Sequence, residues 1–555
     1  MAGSPRFFTS LLGGAILLLA AFMSPVNAQS IIEYAIPTAN ALPGAMTLGS
    51  DGALWFVEGG CPTYYCAPMP SSFGKIGRIT TDGVITEYVF SDPTPEGITT
   101  GGITAGPDGA LWFTVNGLCS LYGGGTCPIS DGTCYQPTPA ACAYIGRITT
   151  SGVVTDLYPV AYEQSADLIA GGITAGPDGA LWFGTILPQP DVPGPSSIGR
   201  ITTAGGITTY QFPEIDYEYA PVTITSGPDG ALWFTTFNSF RPWDEPGQID
   251  RITTTGVATT QYSFPAGGNA GSPVNWGGIT TGPDGALWFT ENACSTSGEC
   301  GQIGRLTTAG VVTAEYPTPS GTVPGSIMSG PNQALWFTAG TAIGQITTGG
   351  AITEYPIPGS SASAQGITIG PNGSIWFTDS GNNAIGTFAP VNLTVSVNGI
   401  GVVTSNPTGL DCTAIQPCAA PFAFNSSITL TASAISGSIF SGWSGGGCSG
   451  TTSTCVVHMT ANTTTVSATF VTPDFTLSVS KVGDGRVKSS PGDGIDCAPS
   501  CIATFASGTK IRLHAIPASG WKFDEWRGAC TGKNEDDCHV TMSAAESVIA
   551  KFKEE

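Results

Sequence analysis

Carboxylates are the groups in this 555-residue chain best placed to do chemistry. Glu58, Glu291 and Asp379 each stand three residues after a tryptophan, just past a recurring Trp-Phe pair. A carboxyl group raised by burial can act as a general base, and two or more acids together can hold a cation. These three are the candidate catalytic residues. Acids and aromatics also mix in the run Glu214, Asp216, Tyr217, Glu218, Tyr219 and at Asn275-Trp276, which makes Tyr219 and Trp276 candidate binding residues for a cation, a sugar or a peptide. The bland alternative is a solvated rim with ordinary surface aromatics. Histidine, the usual base near neutral pH, is confined to His458, His514 and His539. The last two sit in strand-like settings and read as packing or solvent-facing rather than metal-bound.

The elements that must position these groups announce themselves by repetition. Variants of Gly106-Pro107-Asp108-Gly109-Ala110-Leu111-Trp112-Phe113 recur with tryptophans at 55, 112, 182, 233, 288, 336 and 376. A unit with an aromatic signature returning every ~40–45 residues is the mark of a β-propeller blade. The copy from Ile352 to Phe388 reads as four strands: Ile352–Pro358, Gly366–Ile369, Ser374–Thr378 and Ala384–Phe388. Adjacent Trp and Phe point to opposite sides of a strand, so each packs against a different neighbouring blade. The fold class is all-β, a seven-bladed propeller over residues 29–390, with the strand Ile31–Pro37 completing the last blade and closing the ring.

Pro-Asp-Gly supplies turn chemistry, with Asp51, Asp108, Asp178, Asp229 and Asp284 replaced by Asn332 and Asn372 in the last two copies. Seven turns in seven blades cannot converge on one ion. The Arg of the following Ile-Gly-Arg strand (Arg78, Arg147, Arg200, Arg305, and Arg251 in the blade-four version) is expected to pair with an acid. All long insertions fall after Trp-Phe or before the Ile-Thr strand: Cys61–Ser72, Cys119–Cys142, Leu187–Ser197, Asn238–Gly247 and Cys294–Cys300. Alternating strand direction puts both kinds of connection on one face, where binding is expected. Blades six and seven carry none, which leaves an opening on that side.

Net charge is −22, and residues 29–390 hold 7 Lys and Arg against 27 Asp and Glu. Such a surface repels polyanions, which argues against nucleic acid. Arg6, the apolar run Phe7–Met23 and Val26-Asn27-Ala28 read as a signal peptide (residues 1–28) cleaved near Ala28, with an uncleaved anchor as the alternative. No later stretch is long and apolar enough to span a bilayer. Sixteen cysteines fall in even local groups: Cys61/Cys66, Cys119/Cys127/Cys134/Cys142, Cys294/Cys300, Cys412/Cys418, Cys448/Cys455, Cys497/Cys501 and Cys530/Cys538. Disulfides in an oxidising compartment suit that pattern better than zinc, because most pairs are spaced five to eight residues apart. Three connectivities remain open within the group of four.

The repeat Ile-Thr-Glu-Tyr, then Gly-Ile-Thr-x-Gly-Pro-Asp-Gly-Ala-Leu-Trp-Phe-Thr-Glu, then Ile-Gly-Arg-Ile-Thr resembles the streptogramin B lyase (virginiamycin B lyase) family; its fullest copy is Gly278–Glu291 with Ile303–Thr307. That resemblance implies magnesium-dependent opening of a cyclic depsipeptide by elimination, with two His and two Glu as the catalytic set. The matching positions here are Gly325, Gln365, Ser363 and Ser380, none of the catalytic type. From Asn392 the pattern changes. Leu393–Phe470 and Phe475–Phe552 align with each other and resemble the divergent internalin-type B repeat of bacterial surface proteins, as domains 391–473 and 474–555.

The sequence therefore predicts a secreted or cell-surface bacterial protein, monomeric, whose propeller binds an extracellular peptide, glycan or protein without catalysis. The alternative is a lyase or hydrolase opening a cyclic depsipeptide or lactone, using Glu58, Glu291 or Asp379 with metal assistance, the metal being Mg2+ where lyase-like activity is retained. A mainly structural envelope spacer is a third possibility.

Overall fold

The computed structural model describes residues 30–59, 73–91, 98–117, 143–160, 168–186, 197–211, 219–238, 247–263, 276–294, 300–319 and 322–555, apart from gaps at 415–417, 436, 461–462, 491–493, 498–499, 531 and 534–535. The leader, the interiors of the five insertions, Cys61, Cys66, Cys119, Cys127, Cys134, Cys142 and the run 214–218 lie outside these residues.

Seven four-stranded antiparallel sheets follow one another from Met46 to Phe388, and Ile31–Ala35 supplies the outer strand of the seventh. That strand pairs with Ala384–Phe388 in the register Ile31↔Phe388 to Ala35↔Ala384. The first strand of each sheet lies innermost and touches the first strand of the next, including the seventh against Met46–Leu48 of the first, so the ring is closed.

The Trp-Phe pair builds the joints. Trp112 packs with Leu181 and Phe183 of the next blade, and Trp182 with Leu232 and Phe234. Trp376 packs with Leu54 and Phe56 across the seam. Six of the seven tryptophans are fully buried and the seventh is 2% exposed. The Phe ring lies over the glycine of the Ile-Gly-Arg strand: a Cβ on Gly146 would meet the Phe113 ring at 2.2 Å.

The turn aspartate does more than shape its turn. Asp108 Oδ1 accepts from the Trp112 indole at 3.0 Å, and Oδ2 accepts from Arg147 Nε at 2.8 Å. Arg147 sits beside Trp112 in the sheet register and lies 5.9 Å over its ring, while Tyr158 stacks on that ring at 5.7 Å. Against the cost of burial, the indole and guanidinium hold the carboxyl of Asp108 below the usual range. The Asp–Arg pair recurs in the first five blades, which identifies the acid expected for each arginine.

Blade six departs from this rib and shows why. Asn332 donates instead to Asn425 Oδ1 at 3.0 Å and accepts from Ser427, while His458 Nδ1 lies 3.1 Å from its oxygen. The Trp336 indole N–H is left without a partner. Around this point Phe424 meets Tyr355 at 5.6 Å and Phe388 at 5.3 Å. One hydrophobic core runs from Trp336 to Phe470. The first C-terminal repeat is thereby docked on the plain, turn-bearing end of blades six and seven. Phe424→Ala is expected to cost about 3 kcal/mol and to split a single calorimetric transition of propeller and first repeat into two.

Each C-terminal repeat stacks a five-stranded sheet on a four-stranded one, and the strand orders match between the two copies. Both five-stranded sheets contain a parallel pair, Val391–Asn398 with Thr463–Val471 and Asp474–Val482 with Glu546–Glu554. Disulfides join Cys412–Cys418, Cys448–Cys455, Cys497–Cys501 and Cys530–Cys538. Cys294 and Cys300 face each other in backbone register.

Candidate functional site

The plain end of the ring carries the Pro-Asp-Gly and Thr-Thr-x-Gly turns. At the other end, the strands on either side of each insertion terminate together. The candidate residues gather toward that end. In blade seven the inner strand Ala364–Ile369 slips register between Ala364 and Ile367, which places Gln365 in a bulge. Its amide Nε2 donates to Ser363 Oγ at 3.0 Å and to Ser380 Oγ at 3.3 Å. Ser380 Oγ in turn donates to the Ser363 carbonyl at 3.1 Å. Thr338 links this trio to Gly325: its carbonyl accepts the Gly325 N–H at 2.7 Å, and its hydroxyl donates to the Gln365 carbonyl at 3.3 Å. The fold brings the four positions to one place, and no side chain among them ionises near neutral pH.

The three candidate carboxylates are buried between blades rather than spread on a rim. Asp379 is fully buried. Its Oδ1 accepts the N–H groups of Ser363, Gly381 and Asn382 at 2.8, 2.9 and 3.1 Å, and its Oδ2 accepts the Asn382 amide at 3.0 Å. Those bonds give it a structural task, shaping the short connection that replaces an insertion. Glu291, 6% exposed, is pushed up to about 7 by burial and then by the Glu315 charge. Trp276 lies opposite it in backbone register. Tyr219 begins the inner strand of blade four, opposite Asn238. The side chains of Trp276 and Tyr219 lie outside the described residues.

Glu58, 4% exposed, has neither carboxyl oxygen bonded to a donor. Burial, with the Glu87 charge second and Lys75 opposing, pushes it up to about 8. Glu87 is held below the usual range despite burial, because Thr38 donates to it and Lys75 pairs with it at 3.6 Å. The consistent protonation at pH 7 is a neutral Glu58 beside an ionised Glu87.

Asp250 is a buried acid that the sequence reading passed over. It stands where other blades have the glycine under the Phe ring, and it is 1% exposed. Oδ2 accepts from Thr236 Oγ1 at 3.1 Å and Oδ1 has no partner. Burial raises it to about 6, against the hydrogen bonds from Thr260 and Thr236. Its signal was available: Ile249-Asp250 breaks an otherwise regular Ile-Gly at this point of the repeat.

The virginiamycin B lyase family model matches residues 130–291 and 242–396. A virginiamycin B lyase from Staphylococcus aureus is 30% identical, with 64% of this chain and 98% of that chain covered and a TM-score of 0.45. The chain belongs to the virginiamycin B lyase family. A catalytically inactive variant of the Staphylococcus aureus lyase, solved with quinupristin, is 29% identical over 64% of this chain and 98% of its own (TM-score 0.46). A streptogramin B lyase structure is also 29% identical, over 64% of this chain and 96% of its own (TM-score 0.45). Residues 391–473 and 475–555 match the divergent InlB B-repeat domain. Among curated proteins none matches.

The magnesium expected of a virginiamycin B lyase does not fit the residues present. Mg2+ demands near-octahedral oxygen ligation with carboxylates to offset its charge. Ser363, Gln365 and Ser380 offer neutral groups already bonded to one another, and the amide presents donors to both hydroxyls. Asp379, the nearest carboxylate, has both oxygens engaged. Among the described residues no three His, Cys, Asp or Glu cluster as a metal site would require. No helix of the described residues is long and apolar enough to cross a membrane.

Proposed function

We propose that this protein is an extracellular binding protein built on a virginiamycin B lyase propeller, recognising a peptide, glycan or protein at the loop-rich end without opening it. The neutral Gln365–Ser363–Ser380 network carries this reading. Elimination from a depsipeptide needs a base to take a proton and an electrophile to stabilise the developing negative charge. Hydroxyls and an amide at these positions can hydrogen-bond a ligand but cannot take its proton near neutral pH. Docking of the first B-repeat on the plain end leaves the loop-rich end free for a partner. The four disulfides and the B-repeats suit an oxidising, extracellular setting.

A lyase or hydrolase is the second reading, favoured by the carboxyl of Glu291 at about 7, a range suited to a general base. The two readings separate on one substitution. Ligands selected from peptide and glycan arrays should bind wild type and Glu291→Ala within about threefold of each other, a difference under 1 kcal/mol, and hydrogen exchange should show protection at the loop-rich end. Protection confined to the plain end or to the C-terminal repeats would overturn the proposal.

A further inference from the structure

The two B-repeats share a strand order but not a surface. In the second, the four-stranded sheet of Asp496–Cys497, Gly485–Ser490, Lys510–Pro517 and Asp537–Thr541 buries Val487, Ile511, Leu513 and Val540 on one face. Its other face exposes Arg486, Lys488, Lys510, Arg512, His514 and His539. Strand pairing sets Lys488 beside His514, Ser490 beside Arg512, and Arg512 beside His539. An open recess of about 270 Å³ lies among Lys488, Ser489, Ser490, Arg512 and His514. Among the described residues, the two carboxylates on this face stand on the outer strands. Asp496 pairs with Arg486, and Asp537 with Arg512 and with His514 at 2.8 Å. Lys488 is 4.0 Å from Asp496 and half exposed.

In the first repeat the same register positions are neutral: Val402, Thr404, Ser427, Thr429, Thr431 and Val456. Residues 391–473 contain no Lys or Arg, whereas residues 474–555 contain ten. One end of the first repeat's sheet, at Ser427 and His458, is occupied by propeller residue Asn332. The corresponding residues of the second repeat, Lys510 and Thr541, are exposed. In a chain of net charge −22, a basic strip concentrated on one flat sheet is not accounted for by solubility.

We infer that this face of the second B-repeat binds an acidic polysaccharide. Alternate residues of a strand project on one face about 6.5–7 Å apart, and neighbouring strands lie about 4.8 Å apart. Lys488, Arg512 and the Ser490 hydroxyl thus offer a grid that suits acidic groups repeated along a flexible sugar chain. Arg512 presents a planar fork to a carboxylate or a phosphate, and Lys488 a point charge. Residues 29–390, with 7 basic against 27 acidic groups, repel any polyanion, so a flexible chain that can follow the strip alone is favoured over a stiff duplex that extends beyond it.

The test measures binding of the full chain to polygalacturonate, a phosphorylated mannan, neutral dextran and duplex DNA across a salt series. At least one acidic polymer should bind, with affinity falling linearly on a log–log salt plot, and dextran should not. Preference between the two identifies carboxylate or phosphate as the recognised group. Lys488→Thr/Arg512→Thr, which installs the first repeat's residues, should weaken binding at least tenfold, and Arg527→Ser on the other sheet should leave it unchanged. Lys488→Thr alone removes an exposed side chain and should cost threefold or more, so the test survives a poorly folded double variant. Unchanged binding in Lys488→Thr, no binding to either acidic polymer at low salt, or DNA bound as tightly as the polysaccharide would overturn the inference.

Discussion

Trp182→Ala should destabilise the propeller by about 3–5 kcal/mol, read as a fall in the denaturant midpoint. The indole is fully buried and touches four things at once. It packs with Leu232, Phe234 and Ile252 of the next blade, stacks on Tyr210 at 5.5 Å, lies under Arg200 at 5.9 Å, and donates to Asp178 at 3.0 Å. Truncation opens a cavity at a joint of the ring and strips Asp178 of a donor, so the cost exceeds simple transfer. A comparison isolates the polar part. Trp182→Phe keeps most of the packing but loses the N–H, and should cost about 1–2 kcal/mol. Trp336→Phe should cost less, because the Trp336 N–H has no partner to lose. Equal losses in the two blades would refute the role assigned to the turn aspartate.

Glu58→Gln should raise stability at alkaline pH and change little in acid. The folded state holds the Glu58 proton to about 8, whereas the unfolded chain releases it near 4.5. Across that window the native state binds more protons than the unfolded chain, so stability falls as pH rises. Below about 4.5 both states are protonated and the penalty is absent; above about 8 it is complete. A shift of this size, discounted for relaxation and water entry, is worth on the order of 3 kcal/mol at pH 9. Glutamine keeps the shape and stays neutral beside Glu87. Thermal melts at pH 5 and pH 9 decide the matter: a Tm gain confined to pH 9 is expected, and an equal change at both would refute the protonation assigned to Glu58.

Much of the fold was legible because it repeats. The Trp-Phe pair gave the strand and its two-sided packing, and the early Glu-Tyr strand gave the closure. The second task of the turn aspartates was not legible, since it depends on register: only pairing places Arg147 across from Trp112, within reach of Asp108. The docking at Asn332 was hidden for a different reason. Asn for Asp looks like an ordinary turn substitution, and its partner Asn425 lies 93 residues away. At the site, the four substituted family positions could be read directly. The tasks of the buried acids could not, because burial and not residue type separates the saturated Asp379 from the unpartnered Glu58.

We propose that this family member has kept the ring and lost the ring-opening chemistry. Incubation of the full chain with a streptogramin B depsipeptide and excess Mg2+, followed by mass spectrometry, tests it most directly. No linear product above the enzyme-free control is expected at any pH from 6 to 9. A linear product that accumulates in proportion to protein concentration, and disappears in Glu291→Ala, would contradict the account.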